Sequence, residues 1–82
     1  MAQVVVHLHA RAAELAGVRA CAVELPEAAC AGDVKDEVAR RHPALSALLP
    51  SCAIATDAEY LGDAARVGDA RSLHVIPPVS GG

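Results

Sequence analysis

Apolar and polar positions alternate over Gln3 to His9, with Val4, Val6 and Leu8 set against Val5, His7 and His9. A period of two predicts a β-strand, the first set facing a core and the second sharing the other face. Ala10 to Ala16 abandons that period for strong helix formers, and Gly17 stands where a glycine ends a helix, so a short helix is expected there. The alternation returns from Arg19 to Leu25, with Cys21, Val23 and Leu25 on one face, and Pro26 ends the strand. Cys21 reads as a small buried apolar residue. Pro26 to Gly32 is a connector. Asp33 then reads as an N-cap, Asp36 as its capping-box acid, and a helix as running from Val34 to Arg41. Val34 and Val38 are its inward anchors. The pairs Asp36 with Arg40 and Glu37 with Arg41 mark a solvated face, and Pro43 stops the helix near His42. Leu45, Leu48 and Leu49 make a further apolar turn closed by Pro50. Cys52 to Thr56 and Glu59 to Leu61 read as strands around an Asp57-Ala58 turn. Ser72 to Ile76, after the Gly68-Asp69 turn, is the last strand, with Leu73 and Val75 inward and His74 and Ile76 outward.

This order, strand, short helix, strand, longer helix, helical turn and then two or three strands, suits an α+β domain with helices on one side of a mixed sheet. Its 82 residues fit one domain, near the lower size at which a single core suffices. The apolar fraction is 54%, yet much of it is alanine and Tyr60 is the one aromatic residue, so burial per residue is small and modest stability is expected. The net charge of −3, with both signs mixed along the chain, argues against nucleic acid as a partner. No apolar run approaches the ~20 residues of a membrane span, and Met1-Ala2-Gln3 shows no basic start of a secretory leader. Three cysteines without CxxC spacing suggest no disulfide framework and a reducing, cytoplasmic setting.

Candidate chemistry inside the domain is sparse. His7 and His9 share a strand face, but a zinc site needs further ligands, and no Cys or His lies near them in sequence, so no metal site is expected. Ser46, Ser51 and Ser72 lack a nucleophile context, Cys30 has no activating neighbour, and no phosphate-binding or hydrolase motif is present. The domain reads as non-catalytic by itself. The C-terminus is different. In Ile76-Pro77-Pro78-Val79-Ser80-Gly81-Gly82 two prolines remove backbone donors and hold the chain extended, and two glycines carry no side chain. With Gly82 last, the expectation is a thin arm over 78–82, reaching roughly 16–18 Å from a domain over 1–77 and tipped by a free α-carboxylate.

That ending resembles the MoaD/ThiS group of ubiquitin-like sulfur carriers, and within it the small subunits of molybdopterin synthase. The opening strand leading into Ala10-Arg11-Ala12-Ala13-Glu14-Leu15-Ala16-Gly17 and the helix ending Arg41-His42-Pro43-Ala44-Leu45 are similar to the same group. The resemblance implies a β-grasp, ubiquitin-like fold with a mixed sheet of four to five strands, helices on one face and an extended Gly-Gly tail. It implies that Gly82 is adenylated and converted to a thiocarboxylate, with Pro77, Pro78, Val79, Ser80 and Gly81 as the segment that enters partner proteins. The implied partners are an adenylyltransferase of the MoeB/ThiF type, the large subunit of molybdopterin synthase, and a desulfurase or rhodanese as sulfur donor. The implied ATP and magnesium belong to the activating partner, with no cofactor on the domain itself. Sulfur delivery to thiazole synthesis or another thio-metabolite stays open, as does a ubiquitin-like modifier. The chain departs from the group in carrying His7, His9 and His74 where aromatic residues are common. Strand parity then predicts a partner face of Val5, His7, His9, His74 and Ile76 beside the root of the arm.

Overall fold

A computed structural model of the chain describes residues 2–78. Strand β1 (Ala2–Leu8) leads into the short helix α1 (Arg11–Ala16), strand β2 (Ala20–Leu25) and helix α2 (Ala31–Arg41). Two single 3-10 turns, Pro43–Leu45 and Leu49–Ser51, follow before β3 (Ala53–Ala55), β4 (Tyr60–Leu61) and β5 (Ser72–Ile76). The strands form one sheet in the order β2-β1-β5-β3-β4. β1 is antiparallel to β2 and parallel to β5, with Val5 opposite Ser72 and His7 opposite His74. β5 is antiparallel to β3, and β3 to β4. A five-stranded mixed sheet with the first and last strands paired at its centre is the β-grasp arrangement.

The alternation along β1 is what makes this sheet two-faced. Val4, Val6 and Leu8 are buried, as are Val23 and Leu25 of β2 and Leu73 and Val75 of β5. Helix α2 closes that face with Val34 and Val38, while Leu45 and Leu49 from the two 3-10 turns and Ala12 of α1 complete the core. No polar or charged side chain is buried among the described residues, so the interior is wholly aliphatic apart from the Cys52 thiol. Cys21, expected inside, is half-buried at the edge of that core. Desolvation pushes the thiols of Cys21 and Cys52 above their ordinary value, which favours the protonated form over the nucleophilic thiolate.

Helix α2 begins earlier than the sequence suggests. Its cap is Cys30, and Asp33 takes the third helical position, where its Oδ2 accepts a hydrogen bond from the Cys30 backbone N–H at 2.9 Å. Asp33 is thus the acid of the capping box rather than the cap. The helix can start at Ala31-Gly32 because the 63–65 loop supplies acceptors: the Ala31 N–H donates to the Ala65 carbonyl and the Gly32 N–H to the Asp63 carbonyl, each at 2.9 Å. Gly32 is also the residue that fits, since a Cβ there would lie 3.3 Å from the Asp63 oxygen. On the outer face Glu37 pairs with Arg40 at 3.0 Å and with Arg41 at 3.7 Å, so it replaces Asp36 as the partner of Arg40. At the other helix, Ala10 is not the first helical residue but its cap, with φ 51° and ψ −124°.

Two outcomes follow for stability. Ala10 pays a steric penalty at positive φ that glycine would not, so Ala10→Gly should raise stability by up to about 1 kcal/mol, read as an increased urea midpoint. The Asp33 carboxyl is held below its ordinary value of 3.8, first by the backbone N–H of Cys30 and then by its thiol. A carboxyl lowered on folding stabilises the fold above its ordinary value and loses that contribution as pH falls through the lower one. Asp33→Ala should therefore lower the thermal midpoint at neutral pH, with the gap to wild type closing in strong acid. A gap that stays constant with pH would contradict this.

Candidate functional site

The parallel register of β1 and β5 assembles the outward residues into one surface. Val5, His7 and His9 from β1 and the residue beyond it lie next to His74 and Ile76 from β5. Val5 is 41% exposed, His9 is exposed, and His7, His74 and Ile76 are half-buried. The five residues expected on one patch are thus brought together. Immediately after Ile76 the chain leaves the sheet: Pro77 is buried and Pro78 exposed. The sequence expectations for Val79, Ser80, Gly81 and Gly82 lie outside the described residues.

The histidines are organised around His74. Its ring stacks on that of His7, with centroids 5.0 Å apart and planes 22° from parallel. Its Nδ1 lies 2.9 Å from Nε2 of His9, and its Nε2 lies 2.7 Å from Oδ1 of Asp57. The Asp57 carboxylate has no proton to give, so the Nε2–H of His74 is the donor. Nδ1 of a neutral His74 then carries the lone pair and must accept the Nε2–H of His9. A directed chain runs from the carboxylate through one imidazole to the next. Asp57 is the member of this cluster that the sequence reading missed. It lies two residues beyond Ala55, which pairs with His74, so parity puts it on the same face. That signal is available only once β3 is known to pair with β5.

The turn carrying Asp57 is built to hold it. The Thr56 hydroxyl accepts the backbone N–H groups of Ala58 and Glu59, each at 3.1 Å, and donates to the Glu59 carbonyl at 3.3 Å. A shallow pocket of about 250 Å³ lies between this turn and β5, lined by Asp57, Glu59, Tyr60, His74 and Ile76. A larger cleft of about 520 Å³, with Glu27, Asp69 and Arg71 in its walls, lies at the opposite end of β1 and β5, away from the point where the chain leaves the sheet. Among the described residues no three His, Cys, Asp or Glu side chains are placed to hold a metal ion, and no helix is long and apolar enough to cross a membrane. What this surface offers is a semi-polar face around the point where the chain leaves the sheet. It contains groups that bind and orient, and no nucleophile with an activating base.

Known proteins share both the sequence and the arrangement. The profile of the ThiS family matches residues 6–82. A Chlamydomonas reinhardtii protein described as a molybdopterin synthase sulfur carrier subunit is 33% identical, over 98% of this chain and 99% of its own. The human protein of the same description is 37% identical over all of this chain and 97% of its own. Among solved structures, small archaeal modifier protein 1 of Haloferax volcanii superposes with a TM-score of 0.84 at 26% identity, covering 96% of this chain and all of that one. With a family profile spanning both the histidine-bearing strands and the C-terminal glycines, the chain belongs to the ThiS family.

Proposed function

We propose that this chain is a sulfur carrier, the small subunit of a molybdopterin synthase. The observation that carries the reading is end-to-end similarity to relatives described as molybdopterin synthase sulfur carrier subunits. The large synthase subunit is then its docking partner, and Gly82 its working residue.

The chemistry follows from what a carboxylate can do. Its charge is delocalised and oxide is a poor leaving group, so it must first be activated. In the proposed cycle the Gly82 carboxylate attacks the α-phosphate of ATP on a MoeB/ThiF-type adenylyltransferase, where magnesium neutralises the phosphates, and pyrophosphate leaves. A persulfide sulfur delivered by a desulfurase or rhodanese attacks the acyl carbon and AMP leaves. A thiol then cleaves the sulfur–sulfur bond and leaves a thiocarboxylate on Gly82. In the large subunit that soft nucleophile is delivered to the molybdopterin precursor. Pro77 to Gly81 need supply no acid, base or ligand in this scheme. They supply a narrow path, which the absence of side chains on Gly81 and Gly82 suits.

A ubiquitin-like modifier is the second reading, favoured by the likeness to small archaeal modifier protein 1. The two separate on intact mass and on conjugates. A carrier isolated from its own cell shows oxygen replaced by sulfur at Gly82, whereas a modifier shows a ladder of lysine-linked products. Delivery to thiazole synthesis would appear as sulfur transfer with no effect on molybdopterin.

Deleting Gly82, or adding a residue after it, should abolish thiocarboxylate-dependent molybdopterin formation while the thermal midpoint stays at the wild-type value. Gly81→Val should do the same by bulk alone. Product formation by an extended chain would defeat the tail mechanism. For the docking face, His7→Glu should weaken binding to the adenylyltransferase and the large subunit by about tenfold or more, because an unpaired charge is pressed into the interface. Wild-type affinities in the folded variant would place the interface elsewhere.

A further inference from the structure

We propose that Asp57, His74 and His9 form a polarised hydrogen-bond relay whose free end, Nδ1 of His9, recognises a lysine or arginine side chain of the docking partner. The partner's identity rests on the carrier reading above; the relay itself does not.

The argument begins with proton accounting. With neutral imidazoles, each bond in the chain has one possible direction, from His9 to His74 and from His74 to Asp57. The charge-assisted bond at Asp57 enriches Nδ1 of His74, and that bond in turn enriches Nδ1 of His9. This last nitrogen is a lone-pair acceptor on an exposed side chain, and it has no hydrogen-bond partner among the described residues. A partner group that meets it must bring a hydrogen. A carboxylate or a carbonyl brings none and is excluded.

Charge then selects among donors. Besides Asp57, Glu59 lines the pocket in front of His74. His7 of β1 stacks behind, Tyr60 of β4 stands beside, and β2 presents Ala20 and Ala22 on the same face. None of the ion pairs among the described residues brings a lysine or arginine to these groups; the cations so engaged, Lys35, Arg40 and Arg41, bind Asp63 and Glu37 instead. Arg71 lines a separate hollow beside Asp57, whereas the charged groups of the pocket in front of His74 are Asp57 and Glu59, acceptors whose complement is a cationic donor. The Tyr60 ring, 71% exposed at the pocket's edge, offers a face for the alkyl stem or the charge of such a side chain.

The test has two arms. Nitrogen-15 NMR of the imidazoles in the free chain at neutral pH reads the tautomers, and the expected result is hydrogen on Nε2 of both His9 and His74. Asp57→Ala should release His74 from that tautomer without unfolding the chain, because Thr56 holds the turn independently. Binding of the large synthase subunit is measured at neutral pH against salt. His9→Phe, which keeps the ring bulk but removes the acceptor, should weaken it about tenfold, whereas His7→Phe should leave it close to wild type. Added salt should weaken wild type more than Asp57→Ala. Hydrogen on Nδ1 of His74 in the wild-type chain overturns the relay. Wild-type affinity in His9→Phe overturns its role in docking, and equal salt sensitivity overturns the cationic occupant. Absence of wild-type binding overturns the carrier reading and the partner assignment together, leaving the tautomers to decide the relay.

Discussion

The parallel pairing of β1 with β5 is the contact on which the rest of this molecule depends. Two strands in parallel cannot be joined by a tight turn, so α1, β2, α2, β3 and β4 all lie within the connection between them. The pairing places Val4, Val6 and Leu8 beside Leu73 and Val75 and so seeds the core. The same backbone bonds place His7 across from His74 on the reverse side. Because β5 runs alongside β1, the chain leaves the sheet at Ile76 within reach of His9, whose N–H bonds the Val75 carbonyl at 3.3 Å. One set of hydrogen bonds thus fixes the interior, the imidazole surface and the root of the C-terminal segment in a common frame.

The two faces of the sheet divide the labour. An aliphatic interior with no buried polar side chain specifies the fold without asking any hydrogen bond to survive in low dielectric. Burial raises the pKa of the thiols of Cys21 and Cys52, which favours their protonated form. Among the described residues the charged and polar side chains lie outside the core, among them those of helix α2, the turns and the group around His74. A carrier fits such a division, since its reaction occurs in the active sites of other proteins and its own task is to be gripped and to present an end.

Much of this was legible in the residues. β1, β2 and β5 declared themselves because β-branched and polar positions alternate there and one face is buried, which fixes register as well as type. The five-residue patch followed from the same parity. The start of α2 did not. Glycine at 32 opposes a helix and Cys30 is not a usual cap, and the carbonyls of Asp63 and Ala65, thirty-odd residues away, help to make a helix start there favourable. Asp36 looked like a capping acid and a partner for Arg40, whereas the backbone phase set by Cys30 gave those places to Asp33 and Glu37. Asp57 was read as a turn residue, which it is; its bond to His74 depends on which strands are neighbours, and no local pattern encodes that.

Tyr60 gives this chain an unusual optical character. It is the one aromatic residue in a sequence without tryptophan or phenylalanine, and it stands exposed on the two-residue strand β4, outside the core. In most domains near-ultraviolet absorbance and emission follow the loosening of the core. Here the core carries no chromophore, so its melting is silent in that region of the spectrum and must be followed through the backbone. The tyrosine signal instead belongs to the rim of the histidine surface. It makes the protein its own dye for whatever settles there.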